Sequence, residues 1–196
     1  MTRILLLRHG QSEWNAEGRW QGQSDIALTD LGRRQAFAAS QRLGVVDAIV
    51  CSDLRRASDT AQILSEQLGV GPVVVEPLFR ERDAGEWSGL TTAQIEQGWP
   101  GYLAERRRPD RFEPEADALA RLLQGLDLVH AEMGGGEVLV VTHGGLVHAL
   151  EHGHGIEFER LPNLAGRWVT HHGDRVELGD RLILIDEDLA SVPAAI

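Results

Sequence analysis

Apolar positions in this chain fall into two rhythms, short unbroken runs and steps of three or four, and the two alternate. Residues 4–7 (Ile-Leu-Leu-Leu) form a continuous apolar run closed by Arg8-His9-Gly10, which predicts a short strand buried on both faces. From Thr29, which can cap a helix, apolar residues recur at Leu31, Ala36, Phe37, Ala39 and Leu43, with Gly44 as the expected stop. Residues 47–51 predict a second strand. Ser52 then caps a helix carrying Leu54, Ala57, Ala61, Leu64 and Leu68 at a 3.6 period and ending at Gly69. Residues 73–75 predict a third strand, and 81–101 a loop with one short helical piece at 92–97. A long helix is expected over 115–133, a fourth strand over 137–142 and a helix over 144–152. Further strands at 168–172, 176–178 and 182–185 are punctuated by Gly173-Asp174 and Gly179-Asp180, which reads as hairpin turns.

Strands alternating with helices imply a mostly parallel sheet covered on both sides. The expected fold class is therefore α/β: a three-layer α/β/α sandwich with a mostly parallel central sheet and an antiparallel C-terminal addition. At 196 residues one core still grows as a unit, so a single domain over 1–196 is the expectation. Gly134-Gly135-Gly136 precedes a strand instead of opening a helix, so it reads as a connector and not as a phosphate-binding loop.

Composition narrows the function. Hydrophobic residues at 42% and charged residues at 25% are ordinary globular usage, against a disordered or fibrous chain. The net charge of −11 repels nucleic-acid backbones and acidic membranes, so neither is an expected partner. Cys51 is the sole cysteine, which excludes an internal disulfide and suits a reducing cytoplasm. The four aliphatic residues near the start are too few for an export signal, and cytoplasmic localisation is expected. A homodimer fits this composition as well as a monomer does.

Against that acidic background, the expected strand ends deliver cations. Arg8-His9 follows the first strand, Ser52 to Arg56 the second and His143-Gly144-Gly145 the fourth. Ligands bind at the carboxyl edge of open parallel sheets. Two arginines and two histidines there predict a pocket for an anion, and phosphate fits best, since arginine forks match its oxygens and a helix opening at Gly144 adds free N–H groups. Singly, each residue has a plainer reading: a capped histidine, a solvated arginine, or, for Glu81, a member of an exposed charged loop.

The run Leu7-Arg8-His9-Gly10-Gln11-Ser12-Glu13-Trp14-Asn15, continued by Gln21-Gly22, resembles the opening motif of the histidine phosphatase superfamily, which includes phosphoglycerate mutases and many small phosphatases. Ser52-Asp53-Leu54-Arg55-Arg56-Ala57 resembles the second motif, whose functional arginine precedes alanine and is thus Arg56. Glu81 with Gly85-Glu86-Trp87 is similar to the third, and Thr142-His143-Gly144-Gly145 to the fourth. The likeness lapses at residues 112–117, where many relatives carry Gly-Glu-Ser.

The resemblance implies a nucleophile, His9, that becomes a phosphohistidine, with its other ring nitrogen held by a backbone carbonyl near Gly10. It implies phosphoryl contacts from Arg8, Arg56 and His143, an acid-base role for Glu81, and substrate contacts from Asn15, Ser12, Gln21, Gly22 and Gly144. No metal and no cofactor are implied, and the expected partner is a small phosphorylated metabolite. The alternative within the family is mutase-type phosphoryl transfer. The short interval from Glu81 to His143 leaves no room for the mutases' insertion, and Gln21 stands where they usually have Thr. From another class, His148-Ala149-Leu150-Glu151-His152 matches the H-x-x-E-H zinc-peptidase pattern, although Leu146, Val147 and Leu150 mark a packing helix. A non-catalytic binding domain would be expected to lose some of His9, Arg8, Arg56, Glu81 and His143, and all five are present.

Overall fold

The first strand of the computed structural model, which describes residues 1–190, is β1 (Thr2–Arg8), fully extended through the predicted apolar run. The last stretch of the predicted domain, 191–196, lies outside the described residues. Odd and even side chains of β1 enter different cores, as the two-residue period of a strand requires. Ile4 and Leu6 pack with Leu122, Leu126, Leu146 and Leu150 from α5 (Glu115–Met133) and α6 (Gly144–Gly153). Leu5 and Leu7 pack with Ala39, Ala57, Ala61 and Leu64 from α2 (Asp30–Ser40) and α3 (Arg55–Leu68). These strand leucines have no exposed surface, which is worth roughly 1.5–3 kcal/mol each.

The sheet runs β3-β2-β4-β1-β5-β6, where β2 is Ala48–Cys51, β3 Val74–Val75, β4 Gly136–Thr142, β5 Ala165–His171 and β6 Val176–Ile183. β1 pairs in parallel with β4, as β4 does with β2 and β2 with β3, while β5 runs antiparallel to both β1 and β6. The α/β sandwich with an antiparallel C-terminal addition is therefore the observed fold. β1 is central, so its C-terminal end opens where the neighbouring β4 also ends.

Four local expectations need correction. Helix α2 stops at Ser40 and not at Gly44, and Phe37 on its outer side is 53% exposed. Ser52 does not cap α3: Leu54 is the N-cap residue with no side-chain bond, and the Ser52 hydroxyl accepts from Leu54 N at 3.2 Å inside the preceding turn. Gly179-Asp180 is no turn, since β6 runs through it. A Cβ at Gly179 would lie 3.1 Å from the Trp168 Cβ, so the glycine serves close strand approach, beside a register shift between Arg167 and Val169. Finally, 81–101 contains the expected short helix, α4 (Thr92–Gly98), but is otherwise more than loop: Trp87 and the α4 residue Ile95 form a third core with Ala84 and Phe112, against which Trp20, Trp99 and Tyr102 pack. Among the described residues no helix is long and apolar enough to cross a membrane.

Candidate active site

His9 follows β1 directly, its amide donating to Thr142 O at 3.1 Å, so the sheet ladder itself places it beside the end of β4. Its Nδ1 lies 2.6 Å from Gly10 O. A carbonyl can only accept, so Nδ1 carries the proton and Nε2 carries the lone pair. Burial pushes the His9 pKa well below its ordinary value of 6.5, and the guanidinium charges of Arg56 and Arg8 push it further. The ring is a neutral base at physiological pH. Its carbonyl accepts from Asn163 Nδ2 at 2.9 Å, and that amide also reaches Asn15 Oδ1 at 3.3 Å.

His143 caps α6 at the end of β4, its ring centroid 5.1 Å from that of His9 at 61°. Neither ring nitrogen has a protein partner, although the residue has no exposed surface. Burial, then Arg56, His9 and Arg8, keep its pKa well below 6.5, so it offers one N–H as a neutral donor.

Arg56 enters from the first turn of α3 with no exposed surface. Its Nη1 donates to Ser24 O (2.7 Å) and its Nη2 to Gly22 O (2.8 Å), which fixes the plane of the fork. Gly22 has φ +49°, and a Cβ there would meet Ala84 N at 2.6 Å, so only glycine can present this carbonyl. Arg8 Nη1 donates to Leu161 O. The Nε atoms of Arg8 and Arg56 are buried without a partner. Desolvation lowers both guanidinium groups to about 10, only partly countered by Glu81.

Glu81 comes from the irregular stretch after the 3₁₀ turn Pro77–Phe79. Its Oε2 accepts from Gly145 N (3.0 Å) in the first turn of α6, and its Oε1 from Arg82 N (2.8 Å). A Cβ on Gly145 would come within 2.3 Å of Oε1, so that glycine makes room for the carboxylate. Gly144 passes 3.5 Å, measured from its would-be Cβ, beneath the Arg8 Cδ.

Ser12 and Asn15 form a reciprocal cap on α1 (Glu13–Glu17): the Ser12 hydroxyl accepts from Asn15 N at 3.2 Å, and Ser12 N donates to Asn15 Oδ1 at 3.2 Å. The same hydroxyl donates to Gln21 Oε1 at 2.7 Å. Of the residues singled out from the sequence, Ser12 is hydrogen-bonded to both Asn15 and Gln21, and Asn163 links Asn15 to the His9 carbonyl. Asn163, in the segment before β5, was not among them; a lone Asn between Pro162 and Leu164 carries no periodic or motif signal. Nor was Arg121 of α5, whose contacts with the Glu81 segment are taken up below.

The H-x-x-E-H segment is spent otherwise. His148 leans on Phe158 (4.6 Å) and faces Glu151 (3.4 Å), whereas His152 pairs with Glu115. Glu151, 2% exposed, accepts from Arg167 Nε (2.8 Å) and from Arg181 Nε (2.8 Å) and Nη2 (2.6 Å). Among the described residues no cluster of three His, Cys, Asp or Glu side chains is arranged to hold a metal ion.

A neutral imidazole with a free lone pair, a buried and a half-buried guanidinium fork, a buried histidine donor and a carboxyl at a helix N-terminus, all at the carboxyl edge of a parallel sheet, define the class: a phosphoryl-transfer enzyme of the α/β kind. The chain belongs to the histidine phosphatase superfamily (branch 1), whose family model matches residues 4–176, and it is a phosphatase. Glucosyl-3-phosphoglycerate phosphatase of Mycobacterium tuberculosis is 42% identical over 163 residues, 76% of this chain and 73% of that protein. The metal-independent phosphoserine phosphatase of Arabidopsis thaliana is 35% identical over 160 residues, 76% of this chain and 67% of that one. Among solved structures, the mycobacterial glucosyl-3-phosphoglycerate phosphatase in complex with VO3 matches with a TM-score of 0.79 and 37% identity, over 91% of this chain and 97% of that chain.

Proposed function

We propose that this phosphatase hydrolyses small phosphomonoesters through a phosphohistidine on His9 and needs no metal. The single observation that carries the reading is the hydrogen bond from His9 Nδ1–H to Gly10 O, which leaves Nε2 as a neutral nucleophile within the field of Arg56 and Arg8. In the first step the Nε2 lone pair attacks phosphorus and the bond to the leaving oxygen breaks, while the Glu81 carboxyl delivers its proton to that oxygen. In the second, the Glu81 carboxylate takes a proton from water, the water oxygen attacks phosphorus, and the N–P bond breaks to return His9 and inorganic phosphate. Arg8, Arg56 and the His143 N–H hold the phosphoryl oxygens and offset charge that a magnesium ion balances elsewhere, with Asn15 and the Gly144 amide as further donors. Gln21, Ser12 and Gly22 shape the rim, the last by fixing Arg56.

The relatives named for glucosyl-3-phosphoglycerate and phosphoserine make phosphorylated acids the first substrate class to test. A single domain working in the cytoplasm fits the chain's composition. The decisive experiment is rapid quench with a ³²P-labelled substrate: the native enzyme should yield an acid-labile, base-stable adduct on His9, and His9→Ala should yield none and fall to near background. Full activity in excess chelator is expected. An absent adduct, or activity lost to chelator and restored by a divalent ion, would overturn the proposal.

A further inference from the structure

Among the described residues the Glu81 carboxyl is held by two backbone amides, and the residues on either side of it lie in no helix or strand. Catalytic carboxyls must be placed to a fraction of an ångström, so something else has to set this backbone. Thr142 Oγ1 donates to Phe79 O at 2.8 Å and fixes the start of the segment against β4. Beyond that point Gln23 Nε2 donates to Glu81 O at 3.2 Å and Arg80 forks onto Asp53, but the side chain that spans several carbonyls of the segment belongs to α5. Arg121 Nη1 donates to Leu78 O (2.7 Å) and Arg80 O (2.8 Å), and its Nη2 reaches Glu81 O at 3.4 Å.

The guanidinium is locked in turn. Its Nε and Nη2 donate to the two carboxylate oxygens of Glu113 at 3.1 and 3.0 Å, a fork-on-fork pair. Glu113 Oε2 also accepts from Asp83 N at 3.0 Å. The pair therefore touches the main chain on both sides of Glu81, and both side chains are largely buried. A lysine could not reproduce this, because a single ammonium cannot serve three carbonyls and a carboxylate in one plane. Segment 112–117, where the resemblance to relatives lapses, thus supplies Glu113 as the anchor.

We propose that Arg121, locked by Glu113, is the positioning residue for the Glu81 carboxyl: it touches no substrate, and it sets the main chain from Leu78 to Asp83 so that the carboxyl stays at the first turn of α6. The inference rests on the reading of Glu81 as the proton donor. Misplacing a donor by about 1 Å costs up to roughly 100-fold in the step that uses it. A p-nitrophenolate leaving group needs no proton, so the loss should fall on alkyl phosphates.

The test compares kcat and KM for p-nitrophenyl phosphate and glycerol 3-phosphate in the full-length protein and in Arg121→Met, Arg121→Lys, Glu113→Gln and Glu81→Gln, with thermal unfolding of each. Arg121→Met should lose about 10- to 100-fold more kcat on glycerol 3-phosphate than on the aryl ester, with KM changed less than kcat. Arg121→Lys and Glu113→Gln should show the same selectivity at smaller size. If Arg121→Met does not fold, Glu113→Gln, which keeps its shape and loses its charge, decides the matter. In the Glu81→Gln background, Arg121→Met or Glu113→Gln should add less than about twofold, because the two act through one group. Equal losses on both esters, or full additivity with Glu81→Gln, would reduce Arg121 to a structural brace and overturn the inference. If Glu81→Gln itself fails to discriminate the esters, the reading of Glu81 falls and the inference with it. If Glu81→Gln discriminates and the Arg121 and Glu113 variants do not, the inference alone falls.

Discussion

At the residue scale the site works by withholding water from charge. His9 is 2% exposed, and its pKa lies well below 6.5, chiefly from burial. With His9 as the proposed nucleophile the neutral ring is the active form, so kcat/KM, corrected for ionisation of the substrate, should hold its neutral-pH value as pH falls through 6.5 and drop only below it. A drop centred at 6.5 or above would indicate a solvated histidine. The arginines set the opposite limit. With Arg8 and Arg56 lowered to about 10, affinity for inorganic phosphate should fall as pH rises through that value, since neutral guanidine repays nothing to an anion. A phosphate affinity flat to pH 11 would show that they stay charged. These groups were legible in the sequence because each stands at the end of an apolar run, where the edge of a parallel sheet collects ligands. Asn163 and Arg121 were not, because they act on backbone carbonyls brought close only by the fold, across 154 residues for Asn163 and His9.

At the scale of elements, the strong hydrophobic periods were legible and the weak local signals were not. The bounds of α5 match expectation, with Gly134 left-handed (φ 64°) at its end, and β4 and α6 match within a residue. The five-residue α1 has no buried face to betray it, and its ends are held by the Ser12–Asn15 cap and the left-handed Gly18. The misplaced cap at Ser52 and the absent turn at Gly179 come from residue types that serve two purposes, tight turns and close approach. One element contact carries a prediction about stability. Glu151 joins α6 to β5 and β6 through Arg167 and Arg181, and Arg181 also holds Glu159 O (2.8 Å) in the segment that reaches Arg8. Replacing Glu151 with alanine strands two arginines and should cost about 3–5 kcal/mol in urea unfolding. A loss below about 1 kcal/mol would mean that water enters and solvates them.

At the scale of the whole molecule, the proposed catalytic pocket is a destabilising inclusion in a well-packed α/β core. His9 and His143 resist protonation in the native state, whereas the unfolded chain takes up protons at about 6.5. Below that pH the unfolded state therefore binds more protons, and stability falls as pH falls, by up to about 1.4 kcal/mol per pH unit for each histidine. His143→Asn, which cannot titrate, should lose stability less steeply than the native protein between pH 6.5 and 5. Parallel curves would show that His143 is protonated as readily folded as unfolded.

The position of β1 in the sheet also decides when the pocket can exist during synthesis. The strand that carries His9 leaves the ribosome first, yet its two sheet partners, β4 and β5, begin at Gly136 and Ala165, and Asn163 closes on the His9 carbonyl from 154 residues away. At about 5–20 residues per second, the proposed nucleophile waits roughly 8 to 30 s for Asn163, and Ile4 and Leu6 lack their α5 and α6 partners for most of that time. Nascent chains stalled before Asn163 should therefore fail to bind phosphate, and they are the species that a chaperone meets.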